Sequence, residues 1–206
     1  MIDEINENTW IISDTHFGHD NILKYEPSRF DDMKAKGFEH QNEWLVSNWN
    51  SVVAENDLLL HLGDFAFKDR ANLYKLNGRM IMLIGNHDIK QLGFYRKYQA
   101  RFPEKFLLVE GVGEIKEPKD SSGIIKEICG RKIFFNHYPV VSDDPYLRGK
   151  AKEMRDAMRE LFYAENCDLC IHGHVHSNDD FTNKHKEINV SLERTGFQPV
   201  KLGTLL

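Results

Sequence analysis

Residues able to hold a divalent cation recur in this sequence directly after short apolar runs. Asp14 and His16 follow the run at 10–13, Asp64 follows 57–62, and Asn86, His87 and Asp88 follow 80–84. His137, preceded by Asn136, closes the run that begins at Lys132, and Gly173-His174-Val175-His176 follows 168–172. Carboxylates can bridge two ions, neutral imidazoles are good nitrogen ligands, and an Asn carbonyl adds a neutral oxygen. This mixture suits Mn, Fe, Zn or Co better than an all-oxygen Ca site. A pair of such ions about 3.5 to 4 Å apart is a recurring device for phosphoryl-ester hydrolysis. A single Asp at a turn more often satisfies backbone donors than binds a metal; five such positions together make a constellation.

The elements that must position these residues alternate strand and helix. The runs 10–13, 57–62 and 80–84 read as strands buried in a sheet. Between the first two, residues 38–53 place Phe38, Gln41, Leu45, Asn48, Trp49 and Val52 near one helical face, which predicts an amphipathic crossover with Trp44 and Trp49 in the core. Further helices are expected over 69–76 and 89–100, the second ended near Pro103. Open α/β sheets build their sites at the carboxyl ends of strands, where the candidate ligands lie. In the second half, 124–128 and 132–136 flank Cys129-Gly130-Arg131 and predict an antiparallel hairpin. A charged amphipathic helix follows over 152–166, its Lys152, Arg155 and Arg159 interleaved with Glu153, Asp156 and Glu160 as a solvated face. The strand 168–172 comes next, then a closing hairpin of 187–192 with 198–202. Residues 117–123 and 142–149 read as surface loops.

The chain's 206 residues suit one domain spanning 1–206. Its 27 Lys and Arg against 32 Asp and Glu give a net charge of −5, which lacks the electrostatic footprint of a protein that grips a long nucleic acid. No apolar run approaches the roughly 20 residues that span a bilayer, and residues 1–9 are acidic and polar, so no membrane association and a cytoplasmic location are expected. Cys129, Cys167 and Cys170 are an odd number in a chain large enough to need no staples; the CxxC pair is read as packing.

Asp14-Thr15-His16, Gly63-Asp64, Gly85-Asn86-His87-Asp88, His137 and Gly173-His174-Val175-His176 match, in order, the five signature blocks of the calcineurin-like metallophosphoesterase superfamily. The sequence resembles that superfamily from Trp10 to about Leu202, and the string Ser13-Asp14-Thr15-His16-Phe17-Gly18-His19 is similar to its compact prokaryotic and phage branch. The resemblance implies an α/β fold, a four-layer sandwich of two facing mixed β-sheets flanked by helices. It implies two divalent ions, Mn first and Fe, Zn, Ni or Co otherwise, with Asp14, His16 and His176 on one and Asn86, His137 and His174 on the other, bridged by Asp64. His87 would stabilise developing charge or protonate the leaving oxygen, and Asp88 would orient it and favour its protonated form. Asn136 departs from the small hydroxyl residue that many relatives carry before the histidine.

The expected reaction is hydrolysis of a small phosphodiester or phosphomonoester, cyclic or modified nucleotides favoured, by in-line attack of a metal-bridging hydroxide. Residues 20–37 and 142–149 are the expected substrate determinants, with His19, Arg29 and Tyr25 able to reach substrate. His61 and His172 are read as packing or strand-end residues, and His40 and His185 as exposed. Two alternatives stand beside this reading: a metal-binding interaction module, which would ordinarily have lost ligands that are all present here, and a nuclease of the same superfamily, which would be expected to carry a further DNA-engaging domain.

Overall fold

The computed structural model describes residues 1–145 and 147–206, with the backbone alone for Asp179; Tyr146, within the expected 142–149 loop, lies outside the described residues. Nine strands form two sheets among the described residues. The first sheet holds β1 (Trp10–Ile12), β2 (Leu58–His61), β3 (Arg79–Met82), β4 (Phe106–Leu108) and β9 (Val200–Lys201), in the order β4-β3-β2-β1-β9. Its first four strands are parallel, and β9 adds antiparallel to β1. The second sheet holds β5 (Gly123–Ile128), β6 (Arg131–Asn136), β7 (Leu169–His172) and β8 (Glu187–Asn189) in sequence order. Here β5 and β6 form the antiparallel hairpin, while β6, β7 and β8 run parallel. Both sheets are therefore mixed.

The two-residue period of each strand builds the layers. In the first sheet Ile11, Leu58, Leu60 and Ile81 meet Ile133, Phe135, Leu169 and Ile171 of the second in one apolar layer. Their alternate neighbours Ile12, Leu59, Met80 and Met82 face outward against α2 (Pro27–Ala35), α3 (Gln41–Asn50) and α4 (Leu92–Arg101), through Met33, Trp44, Leu45, Trp49, Tyr95 and Tyr98. On the far side, Phe134 and Cys170 pack on Met158 and Phe162 of α5 (Gly149–Ala164). The result is the expected four-layer α/β sandwich of two facing mixed sheets flanked by helices. No helix of the described residues is long and apolar enough to cross a membrane.

The structure departs from the sequence reading in several places. Residues 187–192 and 198–202 do not close a hairpin: β8 extends the second sheet while β9 joins the first, so the segment between them crosses from one layer to the other. The expected helix at 69–76 is a 3-10 helix, Arg70–Lys75, a short connector rather than a packed α-helix. Strand β4 and the helices α1 (Ile22–Tyr25) and α2 had no counterpart in the reading. Arg155 and Arg159 do not form a solvated face. Arg155 is buried and paired with Asp143 and Asp156, while Arg159 donates to the Val140 and Ser142 carbonyls and to Asp143, so both arginines tie the 142–149 loop to α5. Cys129, Cys167 and Cys170 are free thiols, the last two buried.

Phe135 lies at the centre of the layer between the sheets with no exposed surface. Replacing it with Ala is expected to lower unfolding free energy by about 3–5 kcal/mol, read from the midpoint and slope of a guanidinium transition.

Candidate metal centre

Five carboxyl strand ends, those of β1, β2, β3, β6 and β7, and the loops beyond them converge. After β1 the backbone of Asp14 hydrogen-bonds to Gly63 O at 3.0 Å and that of His16 to Asp64 O at 3.1 Å, locking the first two loops together. After β7, Gly173 N–H donates to His137 O at 3.0 Å, joining the loops of the second sheet. Asp14, His16, Asp64, His174 and His176 all have left-handed backbone, five of the nine non-glycine residues with positive φ among those described. Such conformations cost free energy in a non-glycine residue and persist only where surrounding contacts enforce them. Two glycines make the close approach feasible: a Cβ at Gly85 would collide with the Asp64 carboxylate and backbone, and one at Gly173 with Ser13 and Asp14.

Asp64 stands at the centre. Its Oδ1 accepts the His87 backbone N–H at 2.9 Å, while Oδ2 lies 3.6 Å from both His16 Nε2 and His137 Nε2 and 3.9 Å from His87 Nε2. Asp14 accepts the His174 N–H and the Ser191 hydroxyl on Oδ2, at 2.9 and 3.0 Å. Its Oδ1 has no hydrogen-bond partner and lies 3.9 Å from Nε2 of both His16 and His176. Donor atoms of Asp14, His16 and His176, and of Asp14, Asp64 and His137, lie within 4.8 Å of one another.

The chemistry of these donors fits a cation. Both ring nitrogens of buried His16 lack partners. His137 Nδ1 faces the Leu62 carbonyl at 2.9 Å, which assigns the proton to that nitrogen. Its Nε2 is then a bare lone pair 3.1 Å from Asn86 Oδ1: two acceptors face each other with no hydrogen between them, an arrangement that a positive ion relieves. Burial pulls His16 well below its ordinary pKa, with the neighbouring His176 adding to the effect, and burial lowers His137 as well. Both rings are thus neutral, the form that binds metal. Burial pushes Asp14 up, but the charge of the neighbouring His176 ring prevails and holds it below the usual carboxylate range.

His174 is the expected ligand that the structure leaves outside these converging sets. Its ring lies 5.1 Å from that of His137, yet its Nε2 meets Asp144 Oδ2 at 3.2 Å, a partner supplied by the 142–149 loop. Asp88 also differs from expectation. Rather than orienting the His87 ring, its carboxylate accepts the backbone N–H groups of Asp64 (2.6 Å), Gly85 (3.0 Å) and Phe65 (3.2 Å) and the Tyr95 hydroxyl (3.2 Å). It clamps the second and third loops from beneath. Burial and the adjacent Asp64 push its pKa well up.

Arg29 does not reach for substrate. It is 0% exposed, donates to the Asp14 and Thr15 carbonyls at 2.7 and 3.2 Å, and pairs with Glu193 Oε1 at 2.5 Å. Glu193 in turn accepts from His176 Nδ1 at 3.2 Å, a carboxylate–histidine pair that leaves Nε2 facing Asp14. Burial pushes Glu193 up, and the Arg29 charge and the His176 contact more than offset it. Ser191 and Glu193 were missed by the sequence reading, although both follow strand β8, which ends at Asn189, as a sixth strand end. The His19 ring lies 5.4 Å from that of His16, and the imidazole of His87 is the exposed member of the group, at 39%. His61 and His172 are buried strand-end residues, His40 and His185 are exposed, and Asn136 donates to Tyr138 O, turning the chain after β6.

Glu193→Gln keeps the shape but removes the charge that orients His176, and is expected to weaken Mn²⁺ binding about 10- to 100-fold in a direct titration. His61 provides a pH test. Its Nδ1 accepts Gly63 N–H at 3.2 Å and its Nε2 faces the Thr15 hydroxyl at 3.1 Å, so the ring must be neutral. Burial pushes it down to about 3, whereas the unfolded chain takes up this proton near 6.5. Its contribution to stability is complete above pH 6.5 and is lost progressively as pH falls towards 3. In metal-stripped protein, stability against pH should fall less steeply below 6.5 for His61→Asn than for the wild type, measured by urea unfolding.

A family model for calcineurin-like phosphoesterases matches residues 8–178. The chain is 32% identical over 209 residues to the uncharacterized protein MJ1445 of Methanocaldococcus jannaschii, covering 96% of this chain and 88% of that protein. It is 26% identical over 181 residues to the Gene 66 protein of Mycobacterium phage L5, covering 82% and 78%. Among solved structures it is similar to AQ665 of Aquifex aeolicus, a protein of unknown function, with a TM-score of 0.68, 28% identity and coverage of 96% and 98%. The family model spans the five converging strand ends, with both histidines after β7 among them, and the chain belongs to the calcineurin-like phosphoesterases, metal-dependent hydrolases of phosphoric esters.

Proposed function

We propose that the protein is a dinuclear metallophosphoesterase acting in the cytoplasm on a small phosphate ester, a cyclic or modified nucleotide diester before a monoester, with manganese as the first metal. The observation that carries this reading is Asp64 Oδ2 held 3.6 Å from a neutral imidazole on either side, beside the unpartnered Asp14 Oδ1. Asp14, His16 and His176 would hold one cation, Asn86, His137 and His174 the other, with Asp64 common to both. His174 would exchange its contact with Asp144 for that role. Two divalent cations at these donors supply charge for the phosphoryl oxygens and a hydroxide nucleophile near neutral pH.

The chain's own residues do the rest. His87, exposed and 5.3 Å from the His16 ring, would donate a proton to the departing oxygen. Asp88 holds the loops of Asp64 and His87 in register through backbone N–H groups. Arg29 fixes the carbonyls of Asp14 and Thr15 and, through Glu193, the angle of His176. A reducing compartment suits the three free thiols.

Metal-stripped protein with and without Mn²⁺, assayed against chromogenic phosphate mono- and diesters, tests the proposal. Diester cleavage should require metal, fall about 10²- to 10⁴-fold in His87→Ala through loss of proton transfer, and be abolished in Asp64→Asn. Preference for the monoester would replace the diesterase by a phosphatase, and absence of turnover with Mn²⁺, Fe²⁺, Zn²⁺, Ni²⁺ and Co²⁺ would reject the enzyme reading of the site.

A further inference from the structure

The rim beside His87 carries aromatic surface that the metal centre does not use. Phe67 is 43% exposed and Tyr25 is 70% exposed. The two sit about His19: Phe67 stacks on its imidazole at 4.4 Å and 16°, and Tyr25 meets it edge-on at 6.3 Å. Phe67 also lies 5.7 Å from the His87 ring. It is held firmly, because its N–H donates to Phe17 O at 2.9 Å and its carbonyl accepts the Gln91 side-chain amide at 3.2 Å. An exposed aromatic ring fixed by its backbone beside a site is surface available for a planar partner.

We infer that Phe67 and Tyr25, both in ring contact with His19, form a shelf on which the base of a nucleotide stacks while its phosphate sits at the metal centre. The inference rests on the phosphoesterase reading above and names the substrate class for that site. Stacking is tolerant of base identity because every base offers a π-face, so the shelf selects nucleotides as a class.

The test uses Mn²⁺-loaded full-length protein and three non-hydrolysable ligands: the methylene-phosphonate analogues of adenosine 5′-monophosphate and of ribose 5-phosphate, and phenylphosphonate. Their dissociation constants are measured by calorimetry for the wild type, Phe67→Ala, Phe67→Trp and Tyr25→Ala. The adenosine analogue should bind on the order of tenfold more tightly than the ribose analogue. Phe67→Ala and Tyr25→Ala should each shrink that ratio, and Phe67→Trp should preserve it. Tyr25 is so exposed that its removal tests the shelf without disturbing the core. Equal binding of the two sugar analogues in the wild type, or a ratio unmoved by both Ala variants, overturns the shelf; phenylphosphonate binding as tightly as the adenosine analogue overturns the nucleotide. Metal-dependent cleavage of bis(p-nitrophenyl) phosphate by the same preparations separates the two readings. Cleavage without base preference removes the shelf alone, and base preference without cleavage removes the reaction alone.

Discussion

Uncompensated negative charge in a dry place governs this structure. Asp14, Asp64 and Glu193 are almost wholly inaccessible to solvent, and the buried guanidinium among them, that of Arg29, is already engaged by Glu193 and two carbonyls. Of the histidines between the carboxylates, His16 and His137 cannot supply the balance, because burial favours their neutral form; burial pulls His176 down as well, but Glu193 and Asp14 push it up overall, and that one ring offsets only part of the charge. Charges removed from water must be paired or must coordinate a metal. The fold therefore keeps a set of donors in place that the chain's own cations do not satisfy. That requirement explains why so many backbone hydrogen bonds are spent on loop-to-loop contacts.

The constraint reaches into local geometry. Five candidate ligands sit in left-handed backbone, and glycines stand where a Cβ would strike a ligand. Each loop is held by a neighbour: Asp14 by Gly63, His16 by Asp64, the Asp64 and His87 loops by Asp88. Parallel pairing of β1, β2 and β3 brings three of these loops to one edge, and parallel β6, β7 and β8 bring the rest to the facing edge of the second sheet. The centre is thus a property of two sheets, not of one.

Much of this was legible in the sequence because the ligands sit at the ends of strands whose apolar character is strong and local. The hairpin around Cys129-Gly130-Arg131 and the helix carrying Trp44 and Trp49 were readable for the same reason. What escaped was non-local. Nothing in residues 187–202 says that β8 and β9 belong to different sheets, since both partners, β7 and β1, lie far off in sequence. The role of Arg29 could not be read from its neighbours: an Arg in a polar stretch looks exposed, and its burial follows from Glu193, 164 residues away. The resemblance implied that Asp88 orients His87; in the fold its carboxylate turns to the backbone N–H groups of Asp64, Phe65 and Gly85. Asp144 meets His174 from a loop that Arg155 and Arg159 tie to α5, a contact between distant parts of the chain.

The crossover from β8 to β9 has a mechanical consequence. Ser13 and Ser191 pair as an isolated bridge, Ser13 N–H donates to Val190 O at 2.9 Å, and Ser191 donates to Asp14. A segment anchored at one end in the second sheet and at the other in the first thus runs past the metal loops and is stitched to them on the way. Sliding of one layer over the other would shear those stitches and pull Asp14 away from His176 together. The apolar layer between the sheets resists separation but offers little directional resistance to glide. The polar stitching at its edge supplies that direction, so the candidate centre also serves as the latch that fixes the alignment of the two halves.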